Sequence, residues 1–445
     1  MNFDEALRYL LSLGHETLAM KLGLDNIKRL LRRLGDPQKS YTAVQIAGTN
    51  GKGSTAVMLD SICRRASLNV GLYTSPHLIS VTERIRINGF EIAPAEFARL
   101  ATRVRREAEA LERESGALPT FFEQVTTLAL VAFREQEVDL AILETGLGGR
   151  LDATTAAEAK TIAVTPISID HQEHLGETLE EIAAEKAAII RKGARAIIAP
   201  QAPVAREVIE RRCRECNVTP RFVSDEVGIK EMCGDGRLRV TIKSGQEVYE
   251  DVRLGLRGRH QAINAAVAAA VAEELRTRGF AISRASIIEG LEAARHAGRL
   301  EKITCDSHVY LLDGAHNAAG AEALRTYIDE FVRVPVTIIF AAMNDKDLTA
   351  IINSLFPVAR RLILTQIANP RAATPEMLAR HVPPHEGSSK IVCAPNSSGA
   401  LRIARASTPP GETICVTGSL YLVGEIRNLL AERYGTMIDN ADIEV

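Results

Sequence analysis

Tryptophan is absent from the 445 residues, aromatic side chains reach only 4%, and 54 basic residues stand against 56 acidic ones. With a net charge of −2, no basic run and no aromatic-rich basic face, the chain lacks what nucleic acid needs, so no such partner is expected. The seven cysteines are odd in number and scattered, which excludes a disulfide framework and suits a reducing, cytoplasmic location. Cys213 and Cys216 form a C-x-x-C, but no second pair follows at zinc-site spacing, and they read as incidental residues near the end of a charged helix. No uninterrupted apolar stretch approaches a membrane span. The opening MNFDEALRYLLSLGHE carries acids early, unlike a secretory signal. Low-complexity tracts and short-period repeats are missing too.

What remains is an ordinary balance, 46% hydrophobic and 25% charged, in a chain long enough for two domains with their own cores. Its organising stretch is Gly48-Thr49-Asn50-Gly51-Lys52-Gly53-Ser54-Thr55. An apolar run from Tyr41 to Ile46 reads as a buried parallel strand, and Thr55 to Ala66 spaces Val57, Leu59 and Ile62 as a helix packed on a sheet. Strand, glycine turn, Lys, Ser, helix is the plan of a phosphate-binding loop. Backbone N–H groups face the phosphates, Lys52 reaches the terminal ones, and the Ser54 hydroxyl can hold Mg²⁺. The spacing departs from G-x-x-x-x-G-K-[ST], because two residues separate Gly48 from Gly51 and Gly53 precedes Ser54.

Further strands are expected at Asn69–Thr74, Val138–Leu143, Thr161–Ile169 and Ala194–Ala199, completing a parallel set of five. Residues 1 to 35 read as one or two short packing helices ending at Gly35-Asp36-Pro37. Polar residues beyond the strand ends lie where open α/β sheets bind ligands. They are Ser75, Pro76 and His77, then Glu144, then Asp170 and His171. A carboxylate ending a buried strand is costly unless paired, so Glu144 is either a Mg²⁺ ligand or a partner of Arg150. His171 and His174 resemble a zinc pair by spacing, but Gln172 to Gly176 does not look helical and no cysteine is near. Lys186 lies on an alanine- and isoleucine-rich helix, Leu179 to Arg191, opened by a capping box at Thr178. It is either a site residue or a lysine paired with Glu185. From Arg221 to Leu256 the pattern alternates as antiparallel hairpins. Arg259 to Asn264 opens an alanine-rich helix, and His296 to Glu301 has the small, polar character of a domain link. The last third repeats an α/β rhythm, with Asp313 to Asn317, Asn344 to Asp347 and Thr417 to Tyr421 after its strands.

Several of these stretches, in order and over nearly the whole chain, match one family. They are Ala47 to Ser54, Thr74 to Leu78 with Glu83-Arg84, Glu144 to Thr154, Asp170-His171 with Glu185-Lys186-Ala187, His260-Gln261 with Asn264, Gly298-Arg299, Asp313 to Asn317 and Asp345-Lys346-Asp347. The sequence resembles the folylpolyglutamate synthases and their dihydrofolate synthase relatives, within the Mur ligase superfamily of ATP-dependent amide ligases. The resemblance implies an α/β fold in two parts. Residues 1–296 would be an ATP-binding domain with a P-loop parallel sheet and a small antiparallel hairpin region, and 297–445 a smaller, Rossmann-like glutamate ligase domain. It implies ATP, two Mg²⁺ ions with K⁺ as a further candidate, L-glutamate, and a reduced folate or dihydropteroate as acceptor. A cytoplasmic monomer is expected.

By that resemblance the loop Gly48–Thr55 binds ATP phosphates through Lys52, and Ser54 with Glu144 holds one Mg²⁺. Glu144, His171 and a carbamylated Lys186 serve a second. Asn264, Arg299 and Asp313 contact the nucleotide, Ser75, Pro76 and His77 the folate, and His316, Ser419 and Tyr421 the incoming glutamate. Three neighbours depart from the family pattern: Ala188 for glycine, Thr155 for asparagine and Ala318 for proline. The chemistry is an acyl phosphate formed from a carboxylate and ATP, then attacked by an amine, and it requires cations and a closed cleft. Two other readings compete. A ligase of UDP-linked peptides would need a UDP-binding domain, yet only residues 1–47 precede the loop. A non-ligating ATP-dependent switch would not need Glu144, His171 and Lys186 together.

Overall fold

Short β-branched runs between glycine turns assemble here into two sheets whose strand ends face one cleft. The computed structural model describes residues 1–14, 23–223, 227–245, 247–332, 334–383 and 390–434. Part of the expected N-terminal helical stretch, residues 15–22, therefore lies outside the described residues.

The first sheet has eight strands: β1 Thr42–Ala47, β2 Val70–Tyr73, β3 Ile85–Ile87, β4 Phe90–Glu91, β5 Leu140–Glu144, β6 Thr161–Val164, β7 Arg195–Ile198 and β8 Pro220–Phe222. Their spatial order is β4-β3-β2-β5-β1-β6-β7-β8. From β2 to β8 every pair is parallel, whereas β3 and β4 run antiparallel at one edge. One correction follows. The parallel set has six strands and not five, because β8, expected within the hairpins, pairs with β7.

Parallel strands are covered on both faces, so successive residues enter different cores. Val44 and Ile46 pack with the helices Lys52–Arg65, His260–Thr277 and Arg284–Ala293. Ala43, Ala141 and Leu143 pack on the other side with Pro94–Ser115 and Phe121–Glu135. Each fully buried leucine or isoleucine contributes roughly 1.5–3 kcal/mol. The alanine run of His260–Thr277 lets that helix lie close against its neighbours, with Ala262, Ala265, Ala266 and Ala268 to Ala270 all buried.

Strands β9 Val227–Met232, β10 Arg237–Ser244 and β11 Glu247–Arg257 form the expected antiparallel sheet, ordered β11-β10-β9. A third sheet holds β12 Glu301–Cys305, β13 His308–Leu312, β14 Val336–Phe340, β15 Ala359–Leu364, β16 Ile391–Cys393 and β17 Thr413–Thr417, ordered β12-β13-β17-β14-β15-β16. Only β12 is antiparallel to its neighbour. Gln172–Leu175, expected to be irregular, is one helical turn entered through His171 at φ 52°.

Candidate active site

The loop after β1 is held open by its glycines. Gly48 and Gly51 have φ of 147° and 87°, in the left-handed range. A Cβ on Gly48 would collide with Thr165 Oγ1, and one on Gly51 with Asn264 Oδ1. The helix Lys52–Arg65 starts there, and no side chain caps its first N–H groups. Lys52 Nζ, 3.1 Å from both Gly48 O and Thr49 O, donates to its own loop. Burial lowers its pKa, opposed mainly by the charge of Glu144.

Lys186 arrives at the same point from the helix Leu179–Ala187. It is buried, and its Nζ donates to Gly48 O at 2.9 Å. Two ammonium groups thus converge on one carbonyl. Burial, followed by repulsion from Lys52, brings the Lys186 pKa down to about 7. The alternative pairing with Glu185 does not form, since Glu185 binds Arg150 at 2.8 Å.

That ion pair also takes Arg150 away from Glu144, and among the described residues no other base forms a salt bridge with it. Its carboxylate, at the end of β5, is 6% exposed and accepts the Ser75 N–H at 3.2 Å. Burial pushes its pKa up, against Lys52 and the Ser75 hydrogen bond. Ser75 Oγ, Thr55 Oγ1 and His171 Nδ1 are buried nearby in sequence or space without a hydrogen-bond partner. A buried carboxylate without an ion pair, a loop hydroxyl and orphaned polar atoms fit a divalent cation with a phosphorylated ligand.

Beside the loop, beyond the end of β6, lies a paired cluster. Asp170 accepts from Lys346 Nζ at 2.6 Å, from Asn317 Nδ2 at 3.0 Å and from the His171 N–H at 2.8 Å. His316 Nε2 is 3.6 Å away. Burial alone would raise the Asp170 pKa, but the His316 hydrogen bond and the charges of His171, His316 and Lys346 hold it below the usual carboxylate range. The His171 pKa falls to about 3, mainly through burial. Donor atoms of Asp170, His171 and His316 all lie within 4.8 Å of one another. His174 is outside this group, in keeping with the rejection of a His171–His174 pair, and the histidine that joins His171 is His316.

Beside the cluster a cavity of about 230 Å³ is lined by Ser75, Pro76, His171, His316, Ser419 and Tyr421, among others. Arg299 faces a smaller cleft with Gly53, Glu144 and His296. Asn264 bonds Gln261 Oε1 at 2.9 Å and abuts Gly51. Two expected residues are engaged elsewhere. His77 lines neither cleft and accepts from Arg84 Nε at 2.8 Å. Asp313 uses its two oxygens on the backbone N–H groups of Leu300 and Ala315.

Other residues of the cleft were not singled out from the sequence as site residues. Phe122 lines the cavity against Gly146, and the capping box Thr120 to Glu123 that starts its helix was the available signal. Lys346 had its motif recognised but no partner assigned. Nothing local marks His296, whose neighbours in sequence are simply a link. Of the departures, Thr155 has a clear place: it accepts from Gln45 Nε2 and donates to Gly149 O, both at 2.7 Å.

Residues 46–272 match the Mur ligase middle domain, and residues 298–420 match the Mur ligase glutamate ligase domain. The chain is 35% identical over 422 residues to a dihydrofolate synthase/folylpolyglutamate synthase of Bacillus subtilis, spanning 94% of this chain and 97% of the relative. Its structure is similar to a Mycobacterium tuberculosis folylpolyglutamate synthase complexed with ADP, with a TM-score of 0.88, 31% identity and coverage of 96% and 98%. It is also similar to a bifunctional folylpolyglutamate synthase/dihydrofolate synthase from Yersinia pestis complexed with AMPPNP and a Mn ion. There the TM-score is 0.83, with 28% identity and coverage of 97% and 98%.

Proposed function

The chain belongs to the folylpolyglutamate synthase/dihydrofolate synthase family of Mur ligases, and from that premise we propose how its residues divide the reaction. It is an ATP-dependent ligase that joins L-glutamate to folates, and it works with ATP and a divalent metal. The two rival readings, a ligase of UDP-linked peptides and a non-ligating switch, give way to 35% identity with a folate ligase over 94% of the chain.

The loop Gly48–Thr55 cradles the phosphates, and Lys52 leaves its own carbonyls to reach the terminal one. Ser54 and Glu144 hold one divalent ion. Glu144, His171 and Lys186, carbamylated through its neutral amine, hold a second, with K⁺ as a further cation. Bound there, the metals neutralise phosphate charge and polarise the reacting oxygens. Asn264 and Arg299 flank the nucleotide, and Asp313 shapes the link beneath it. Ser75, Pro76 and His77 belong to the folate-side loop. His316, Ser419 and Tyr421 orient the incoming glutamate. An oxygen of the folate carboxylate attacks the γ-phosphorus and ADP leaves. The glutamate amine then attacks the acyl carbon, loses a proton and expels phosphate. Closure of the cleft excludes water from the acyl phosphate. The division into residues 1–296 and 297–445, a monomer, a cytoplasmic location and the lack of a nucleic-acid partner complete the proposal. Among the described residues no helix is long and apolar enough to cross a membrane.

The observation that carries the residue assignment is the convergence of Lys52 and Lys186 on the Gly48 carbonyl beside the unpaired Glu144. Two lysines and one carboxylate that feel each other's charge but form no direct salt bridge surround a glycine loop at a helix N-terminus. The test supplies purified protein with ATP, glutamate and either tetrahydrofolate or dihydropteroate, and follows ADP and product mass. ADP release should require acceptor and glutamate together, with products heavier by glutamate residues. Release that needs neither overturns the reading. A product from dihydropteroate marks addition of the first glutamate.

A further inference from the structure

Ser54 Oγ has two hydrogen-bond partners among the described residues. Gln261 Nε2 lies at 3.3 Å and His296 Nδ1 at 3.4 Å. The Gln261 amide is oriented by Asn264, whose Nδ2 donates to Oε1 at 2.9 Å, so Nε2 faces Ser54 as a donor and occupies one oxygen lone pair. A hydroxyl that holds a cation must turn its other lone pair to the metal and send its proton elsewhere. The acceptor facing it is His296 Nδ1. A second observation puts the ring at the same place. A Cβ on Gly53 would lie 2.8 Å from His296 Cε1 and 3.3–3.4 Å from the two Glu144 oxygens. Imidazole, carboxylate and hydroxyl therefore surround the Gly53–Ser54 peptide, although His296 is 242 residues from Ser54.

We propose that His296 is a positioning residue for the divalent cation: with its proton on Nε2, its Nδ1 accepts the Ser54 hydroxyl proton and aims the oxygen lone pair at an ion shared with Glu144. The proposal rests on the loop reading given above. His296 sits on the link ahead of Gly298, so the geometry of the link is felt at the metal.

The test uses Mn²⁺ as the probe, titrated into the full chain with ADP and read by electron paramagnetic resonance. ADP affinity in EDTA is measured separately. His296→Phe should weaken Mn²⁺ binding about tenfold, the loss expected for one hydrogen bond to a polarised group, and leave cation-free ADP affinity unchanged. His296→Asn, whose Oδ1 takes the place of Nδ1, should restore most of the affinity. His296→Gln, with its acceptor at the other ring position, should not. In a Ser54→Ala background His296→Phe should add nothing. Equal Mn²⁺ affinity in wild type and His296→Phe overturns the proposal. So does an undiminished effect of His296→Phe in Ser54→Ala, or an Asn variant as weak as Phe. Should His296→Phe fail to fold, the Asn and Gln pair decides alone. Ser54→Ala with unchanged Mn²⁺ affinity sinks the loop reading itself, which separates the two failures.

Discussion

The two walls of the cleft handle charge in opposite ways. On the β1–β5 wall, Lys52 and Lys186 rest on a carbonyl and Glu144 accepts only a backbone N–H. On the wall formed where Lys346 meets the end of β6 the charges are already matched, Lys346 with Asp170 at 2.6 Å and Arg371 with Asp345 at 2.7 Å. Buried unmatched charges weaken a fold unless a ligand completes them, whereas matched pairs fix geometry without one. On the proposed reading, anions and metal finish the first wall. The second holds two halves of the molecule in register.

The sharpest break of that contrast is Lys52→Ala. Ligation should fall by roughly 10³-fold or more, since the ammonium meets the phosphates directly. Thermal stability should hold, because folding already disfavours the charged form. Near-normal ligation would show that the first wall is not a phosphate site. Lys186→Ala should cost about 100-fold, with partial recovery in acetate if a carbamate was lost. An unmodified Lys186 in high-resolution density, with nucleotide, Mg²⁺ and bicarbonate present, would contradict the carbamate.

Lys186 also gives a pH test. Its folded pKa, about 7, lies below the ordinary lysine value of 10.5, so the unfolded chain binds more protons between those values. Stability from this group therefore rises with pH across that window and is flat below it. Compared without nucleotide or bicarbonate, Lys186→Met should be stabilised relative to wild type most at pH 7, and the gap should close towards pH 10. A gap independent of pH would mean that the lysine is not buried as an ammonium.

On the matched wall, Lys346→Met leaves Asp170 without its cation. Unfolding measurements should show a loss of about 3 kcal/mol, with activity reduced roughly tenfold through misalignment. If activity falls as far as in Lys52→Ala while stability is untouched, the two walls do not differ as described. The smallest effect is expected for Arg299→Lys, a rise of about fivefold in the Michaelis constant for ATP as fork geometry is lost. An unchanged value would leave Arg299 a charge of the link alone.

These walls were not equally legible in the sequence. The first is written locally: Gly48 to Ser54 follow a strand and open a helix, and Glu144 ends an apolar run. Lys186 was readable because its neighbours are alanine and isoleucine. The second depends on encounters between distant segments, and no local pattern pairs Lys346 with Asp170 across 176 residues. His296 illustrates the same blindness. Strand β8 was missed because three residues beginning with proline, next to alternating hairpins, carry too little periodicity to declare a partner. The turn Gln172–Leu175 is likewise too short for a helical period. The departure at Thr155 was flagged without a role, which only its contacts with Gln45 and Gly149 supply.

Asn317 caps its own helix through Oδ1, which accepts the Gly320 N–H at 2.8 Å, and its Nδ2 reaches Asn50 at 3.1 Å as well as Asp170. One amide thus grips the phosphate loop and the paired wall at once. Any ligand that shifts Asn50 alters what Asn317 can hold. By thermodynamic reciprocity, any ligand that fixes Asn317 alters nucleotide affinity by the same factor. If nucleotide and second substrate bind where proposed, this side chain couples them, and the order in which they bind leaves that coupling the same.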